Sequence, residues 1–493
     1  MEAAAAELVF IPSPGMGHLV ATVEMAKQLI GRDQRLSITV LIMKIPFDKS
    51  QVSSSTQSLL LTAAGDRLKF FYLPQDEAAL AELRSEKPGS FMSEFVNMNK
   101  QHVRDHVTKM ISTGSSRVVG FVVDMFCTPM MDTAAEFGIP TYVFFTSSCA
   151  FLGLMFHLDT LSRGQDVTEL KDSDPELEVP VFVNPVPVKV LPSVVLDKEG
   201  GSTYFLSLAK KLKETKGIMV NTFEELESYA VKHLAEDDKV PPIYPVGPVL
   251  HLLKDEKEEE EEVIQIVRWL DDQPPSSVVF LCFGSMGGFE GVQVREIAQA
   301  LEQSGNRFLW SVRQPPPKGE MERKMPSEYN DLNQALPEGF LERTAETGKV
   351  IGWAPQVAVL SHKAVGGFVS HCGWNSTLES LWCGVPVATW PLYAEQQINA
   401  FQLVRELELA VEIKLDYKND LRFASINVKL VTADEIENAI SKLMEKEDQS
   451  SEGIKQKAKE MGEKCKIAVK EEGSSYNSVG RFIEDVMNNI HSP

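Results

Sequence analysis

Residues 365–389 read VGGFVSHCGWNSTLESLWCGVPVAT. The apolar run at 365–370 predicts a strand. His371-Cys372-Gly373 predicts a turn, and Asn375 and Ser376 favour a helix start. The helix predicted over 376–383 stops near Gly384, a residue suited to the position just past a helix end. A second apolar run follows at 385–389. Strand, turn, helix and strand in one short run describe a parallel β-α-β unit. Strands so uniformly apolar belong to a sheet covered by helices on both faces.

The same alternation extends outward in both directions. Strands are predicted at 278–283, 307–312 and 349–351, with a helix at 292–303. A polar insertion, 314–335, carries Pro315-Pro316-Pro317. In the first half, strands are predicted at 8–12, 36–43, 118–123 and 141–145. The helix at 18–30 places Leu19, Val23, Ala26 and Ile30 on one face. Between the halves lies LLKDEKEEEEE, residues 252–262, read as a solvated acidic linker. The fold class expected is α/β, with two doubly wound Rossmann-like domains. Each spans roughly 240 residues, at the upper end of common domain sizes.

The 493 residues carry a formal net charge of −21. That argues against nucleic acid or an anionic membrane surface as the main partner, since both need clustered Lys and Arg. Cys127, Cys149, Cys282, Cys372, Cys383 and Cys465 form no CxxC pair, which suggests free thiols in a reducing, cytoplasmic setting. The N-terminal MEAAAAELVF lacks the basic start of a secretory signal. Residues 137–158 hold no charged side chain, but Pro140, Thr146, Ser147, Ser148 and His157 interrupt them. A buried strand, a serine cap and an apolar helix from Cys149 are expected there, rather than a membrane span.

Four strand ends carry candidate chemistry. Pro12-Ser13-Pro14-Gly15-Met16-Gly17-His18 is a strand, a glycine turn and a helix start, and ligands in open α/β sheets bind beyond the carboxyl ends of strands. His18 is either a helix-capping residue or a general base. A helix N-terminus disfavours the imidazolium, which helps keep His18 neutral. Asp124 ends the strand 118–123, and is either a polar cap or the partner that fixes the His18 tautomer. A nicotinamide oxidoreductase is the alternative reading of Gly15-Met16-Gly17. Against it, Val20 stands where a third Gly or Ala is wanted, and the next strand ends at Lys44 rather than at an acidic residue.

In the second half, the helix N-terminus near Asn375 and Ser376 is suited to a diphosphate, with His371 as a donor beside it. Gly284-Ser285-Met286-Gly287-Gly288 follows another strand and offers a second anion-binding nest. Asp172-Ser173-Asp174 formally matches the Asp-x-Asp pattern of metal-dependent sugar transfer. It follows no apolar strand and is read as an acidic surface loop.

The segment 353–396, WAPQVAVLSHKAVGGFVSHCGWNSTLESLWCGVPVATWPLYAEQ, closely resembles the 44-residue signature box of plant secondary-product UDP-glycosyltransferases. The resemblance runs over the whole chain. It implies the two-domain GT-B architecture, with domains facing across a cleft: 1–248 for the acceptor, 249–262 as linker, 263–470 for the UDP-sugar, and a helix in 471–493 packing back on the first domain. It implies inverting chemistry with neither metal nor cofactor, UDP-glucose serving as co-substrate. Trp353 would stack on the uracil, with the Ala354 backbone at its edge. Gln356 and Glu379 would hold the ribose. His371, Asn375, Ser376 and Ser285 would bind the diphosphate. Trp374, Glu395, Gln396 and Thr146 would contact the sugar, Gln396 being associated with glucose. His18 would be the base and Asp124 its partner. Phe126, Phe145 and Phe151 would line an apolar pocket for a small lipophilic acceptor, a phenolic or flavonoid or a triterpenoid. A monomer is expected. A non-catalytic sugar-nucleotide-binding protein is the other alternative.

Overall fold

The computed structural model describes residues 6–44, 60, 63, 65–75, 83, 88–113, 117–252, 261–316, 326–419, 429–445 and 449–490. Most of the expected acidic linker, residues 253–260, lies outside these, as do residues 317–325 of the polar insertion.

The first half contributes β1 (Ala6–Ile11), β2 (Leu36–Ile42), β3 (Leu68–Tyr72), β4 (Arg117–Asp124), β5 (Thr141–Phe145), β6 (Gly217–Val220) and β7 (Ile243–Pro245). They form one sheet in the order β3-β2-β1-β4-β5-β6-β7, every pairing parallel. The second half contributes β8 (Val278–Cys282), β9 (Arg307–Ser311), β10 (Gly348–Ile351), β11 (Val365–Ser370), β12 (Val387–Thr389) and β13 (Ala410–Glu412). Their order is β10-β9-β8-β11-β12-β13, again parallel. In both sheets the chain order reverses beside the first strand, between β1 and β4 and between β8 and β11. Such a reversal opens a crevice at the carboxyl ends, because the crossovers leave in opposite directions.

Side-chain alternation along β5 shows how each sheet is covered. Val143 and Phe145 join the core on one face, and Tyr142 and Phe144 join the core on the other. The uncharged stretch resolves as β5, a turn, and the apolar helix Cys149–Leu161, with Ser148 Oγ capping Phe151 N at 3.0 Å. No described helix is long and apolar enough to cross a membrane.

The helix Ser474–Asn488 returns to the first sheet. Its Phe482 is fully buried, edge-on to Tyr142 at 5.1 Å and to Tyr244 at 5.5 Å. Burying such a ring is worth about 1.5–3 kcal/mol. Tyr142 Oη donates to Asp485 at 2.6 Å, and Asn489 Nδ2 donates to the Val119 carbonyl at 3.0 Å.

Candidate active site

Three neighbouring strands of the first sheet deliver one cluster. His18 lies in the first turn of the helix Met16–Arg32, just past β1. Asp124 is the last residue of β4, and Thr146 follows β5. His18 Nδ1 sits 2.7 Å from Asp124 Oδ2 and 3.0 Å from Thr146 Oγ1. The Asp124 side chain is 1% exposed, and its other oxygen accepts from Phe126 N at 3.0 Å. The carboxylate therefore accepts a hydrogen bond from Nδ1–H and leaves the Nε2 lone pair for a substrate proton.

The expectation that the helix end sets the direction of the His18 shift needs correction. Burial is the largest single influence and lowers its pKa, but the charge and hydrogen bond of Asp124, helped by Glu395, raise it above its ordinary 6.5. A carboxylate at 2.7 Å outweighs a helix dipole worth ~0.3–1 kcal/mol. The result is a stronger base.

Across the cleft, Ser285 is exposed in the turn after β8, and His371 is buried just past β11. Burial pushes the His371 pKa down to about 4, so the ring is neutral and one nitrogen can donate. Its Nδ1 is buried without a partner. Two glycines make room for the ring. A Cβ on Gly284, which has φ +73°, would lie 2.7 Å from His371 Nε2, and one on Gly373 would lie 2.5 Å away. Cys372 also adopts a positive φ, 60°. For a residue with a Cβ that conformation is strained, and such strain concentrates at functional turns.

The helix here is Trp374–Cys383, beginning earlier than predicted, with Gly373 at its N-cap and no side-chain cap bond. Asn375 and Ser376 are thus not caps. They lie in the first turn, beside amide N–H groups that no side chain caps, the arrangement that attracts phosphate. Asn375 Nδ2 reaches the Gly17 carbonyl at 3.4 Å, across the cleft and beside His18. Trp374 departs from expectation in another way. Its indole N–H donates to the Asn221 carbonyl at 2.7 Å and the ring is buried, so only its main-chain N–H is left for a sugar.

Beyond β10, Trp353 is 36% exposed while Ala354 is buried. Gln356 Nε2 donates to Ser376 Oγ at 2.7 Å and to Glu379 Oε2 at 2.6 Å. Burial raises the Glu379 pKa to about 7, against the pull of that Gln356 bond. After β12, Ala394 takes φ 57°, turning the chain into Glu395 and Gln396. Gln396 Oε1 is spent on Leu392 N at 2.9 Å and Tyr393 N at 3.1 Å, which leaves its amide NH2 as a donor. Ser147 Oγ meets Glu395 at 3.3 Å across the cleft.

The aromatic candidates separate. Phe126 is half-buried, edge-on to His18 at 5.7 Å. Phe145 has no exposed surface and Phe151 only 5%; they pack on each other, and Phe151 also packs on Phe205. A ring without accessible surface backs a pocket rather than lining it. Ser147, Asn221 and Glu328, which accepts from Trp353 N at 3.1 Å, were not singled out from sequence. Asn221 does follow a strand end, so the carboxyl-end rule already points to it. Asp172 and Asp174 lie in a surface turn where Asp174 accepts from Lys171 N at 2.8 Å.

Two parallel sheets meeting at their carboxyl ends, a His–Asp pair on one and uncapped glycine-flanked turns on the other, define a GT-B sugar-nucleotide transferase. Residues 269–454 match the family model described as UDP-glucoronosyl and UDP-glucosyl transferase. UDP-glycosyltransferase 71E1 of Stevia rebaudiana is 54% identical over 488 residues, 98% of each chain. UDP-glucose flavonoid 3-O-glucosyltransferase 6 of Fragaria ananassa is 52% identical over 493 residues, 98% of this chain and 99% of that one. The crystal structure of a Medicago truncatula UDP-glycosyltransferase complexed with UDP-glucose superposes with a TM-score of 0.82 at 40% identity, covering 98% of both chains. The chain belongs to the plant UDP-glycosyltransferase family and is a glycosyltransferase.

Proposed function

We propose that this enzyme transfers glucose from UDP-glucose to a hydroxyl of a small lipophilic acceptor, inverting the anomeric carbon. His18 Nε2 takes the acceptor proton while the oxygen attacks that carbon, and the bond to UDP breaks on the opposite face. Asp124 holds the imidazolium that forms. Charge growing on the diphosphate meets the first turn of the helix Trp374–Cys383, His371 and Ser285. Trp353 and Ala354 take the uracil, Gln356 and Glu379 the ribose. Glu395, the Gln396 amide and the Trp374 main-chain N–H take the sugar.

One observation carries the proposal: a base already paired to a buried carboxylate stands across from an uncapped helix N-terminus and a buried imidazole whose Nδ1 has no partner. The flavonoid-acting relative and the UDP-glucose complex support a glucose donor and a flat phenolic acceptor at Phe126. Residues 1–248 are the acceptor half, 249–262 the linker, 263–470 the donor half and 471–493 the returning segment. Six unpaired cysteines support a cytoplasmic setting. The enzyme is proposed to act as a monomer.

A UDP-release screen over flavonoids, simple phenols and triterpenoids tests this, with and without EDTA. Transfer that persists in EDTA is expected. UDP-glucose binding without UDP release from any acceptor class refutes the transfer reading, and complete loss in EDTA refutes its metal independence. NAD-dependent absorbance change would instead favour an oxidoreductase.

A further inference from the structure

Glu227 is a buried carboxylate that the mechanism leaves unused. Glu227 is 3% exposed and belongs to the helix Glu224–Glu236, whose backbone leaves helical geometry at that residue, φ −124° and ψ 38°. Its Oε2 accepts from Cys149 N at 2.8 Å, and its Oε1 from Ala150 N at 2.9 Å. These are the first two amides of the apolar helix Cys149–Leu161. The turn just before that helix carries Thr146, beside His18, and Ser147, beside Glu395. Oε1 also accepts from Gln402 Nε2 at 2.7 Å, and Gln402 belongs to the second half.

Gln402 continues directly from the helix Gln396–Phe401. That helix starts at Gln396. It is tied to the phosphate turn by Asn399 Nδ2, which donates to the Cys372 carbonyl at 2.9 Å. A single carboxylate thus joins the turn that holds the acceptor chemistry to the helix that holds the sugar. Hydrogen bonds to ionised groups are about twice as strong as neutral ones, and this one is shielded from water.

We infer that Glu227 is a positioning residue that locks the Thr146–Ser148 turn to the Gln396–Phe401 helix, fixing the base and the sugar in one register. The inference rests on the transfer reaction proposed above. Small misplacements at a reacting centre are costly, whereas binding of the nucleotide end, formed by the second half alone, is untouched.

The test uses Gln402→Leu in the full-length enzyme. Leucine removes the cross-half bond and also the Gln402 Oε1, which is buried without a partner. Glu227 keeps both main-chain donors, so the cap on Cys149–Leu161 survives. The expected result is a fall in transfer kcat of about tenfold, as for loss of one charge-assisted hydrogen bond. The fraction of UDP-glucose lost to hydrolysis rises, and the UDP dissociation constant by calorimetry stays within about twofold. Glu227→Gln gives the same uncoupling, plus faster hydrogen exchange at Cys149 and Ala150. Wild-type kcat and hydrolysis fraction in Gln402→Leu overturn the inference and leave the transfer reading standing. A UDP affinity falling in step with kcat also overturns it, since that marks general loosening. Wild-type enzyme without transfer removes the reading on which the inference rests.

Discussion

Asp124→Asn and Asp124→Ala should fail to different degrees, because they damage His18 differently. In the native site Asp124 Oδ1 is held by Phe126 N and Oδ2 faces His18 Nδ1. In the alanine variant the charge is gone but Nδ1 is unconstrained, with Thr146 Oγ1 still 3.0 Å away. Unit charges about 4 Å apart attract by about 4 kcal/mol at an effective dielectric near 20. His18 is 31% exposed, which screens part of this. Retaining about half gives roughly 2 kcal/mol, or a ~30-fold loss of kcat/KM. In the asparagine variant the Phe126 N–H keeps Oδ1, so the amide NH2 must face Nδ1. That forces the proton onto Nε2 and removes the base, for a loss of about 10³-fold within the 10²–10⁴ that general bases supply. The assay is steady-state kcat/KM for the acceptor between pH 5 and 9. Equal activity of the two variants refutes the tautomer argument, and activity within threefold of wild type in both removes Asp124 from the mechanism. The wild-type acid limb should lie above 6.5 and move down in both variants, because Asp124 is the main influence raising His18. For stability the sign is fixed. The folded pKa is raised, so the pair stabilises the fold fully below 6.5, and its contribution fades as pH rises through the folded value.

Gly284→Ala should raise the UDP dissociation constant at least tenfold and cost about 1–3 kcal/mol in stability, from a strained positive φ and a collision with His371; calorimetric UDP binding within twofold of wild type would contradict that packing. Trp353→Ala should weaken UDP binding by about 1–3 kcal/mol, with little change in melting temperature, because the ring is 36% exposed; a large drop in melting temperature at unchanged affinity would make it a packing residue. UDP affinity should fall as pH drops below about 7, where Glu379 becomes protonated, and Glu379→Gln should flatten the profile; an equally steep profile in that variant assigns the effect elsewhere. In the stability profile the raised Glu379 value costs stability as pH rises from 4.5 towards 7.

Much of this was written locally. The apolar runs at 278–283 and 365–370 become β8 and β11 because a strand buried on both faces admits few other side chains. Glycine turns after those runs point to the proposed phosphate side, and His18 and Asp124 are candidates by standing at strand ends. The uncharged stretch 137–158 divides into strand, serine cap and helix because its polar interruptions fall where a turn must be.

What only the tertiary structure decided was partnership. His18 and Asp124 lie far apart in the chain, and their contact depends on β1 and β4 becoming neighbours where the sheet order reverses. The His18 pKa shifts in the direction opposite to the one its helix end favours, because a carboxylate delivered by another strand outweighs a dipole. Trp374 and Gln396 looked free for sugar, yet main-chain groups already occupy the indole N–H and the amide oxygen. Phe145 and Phe151 were indistinguishable from pocket-lining rings until burial separated them from Phe126. Glu227 carried no local signal, sitting among acidic helix residues like any solvated one. Local sequence sets which backbone each segment prefers and what each side chain can offer. Which offers are taken depends on groups from distant segments, and those meet only when the two sheets close on each other.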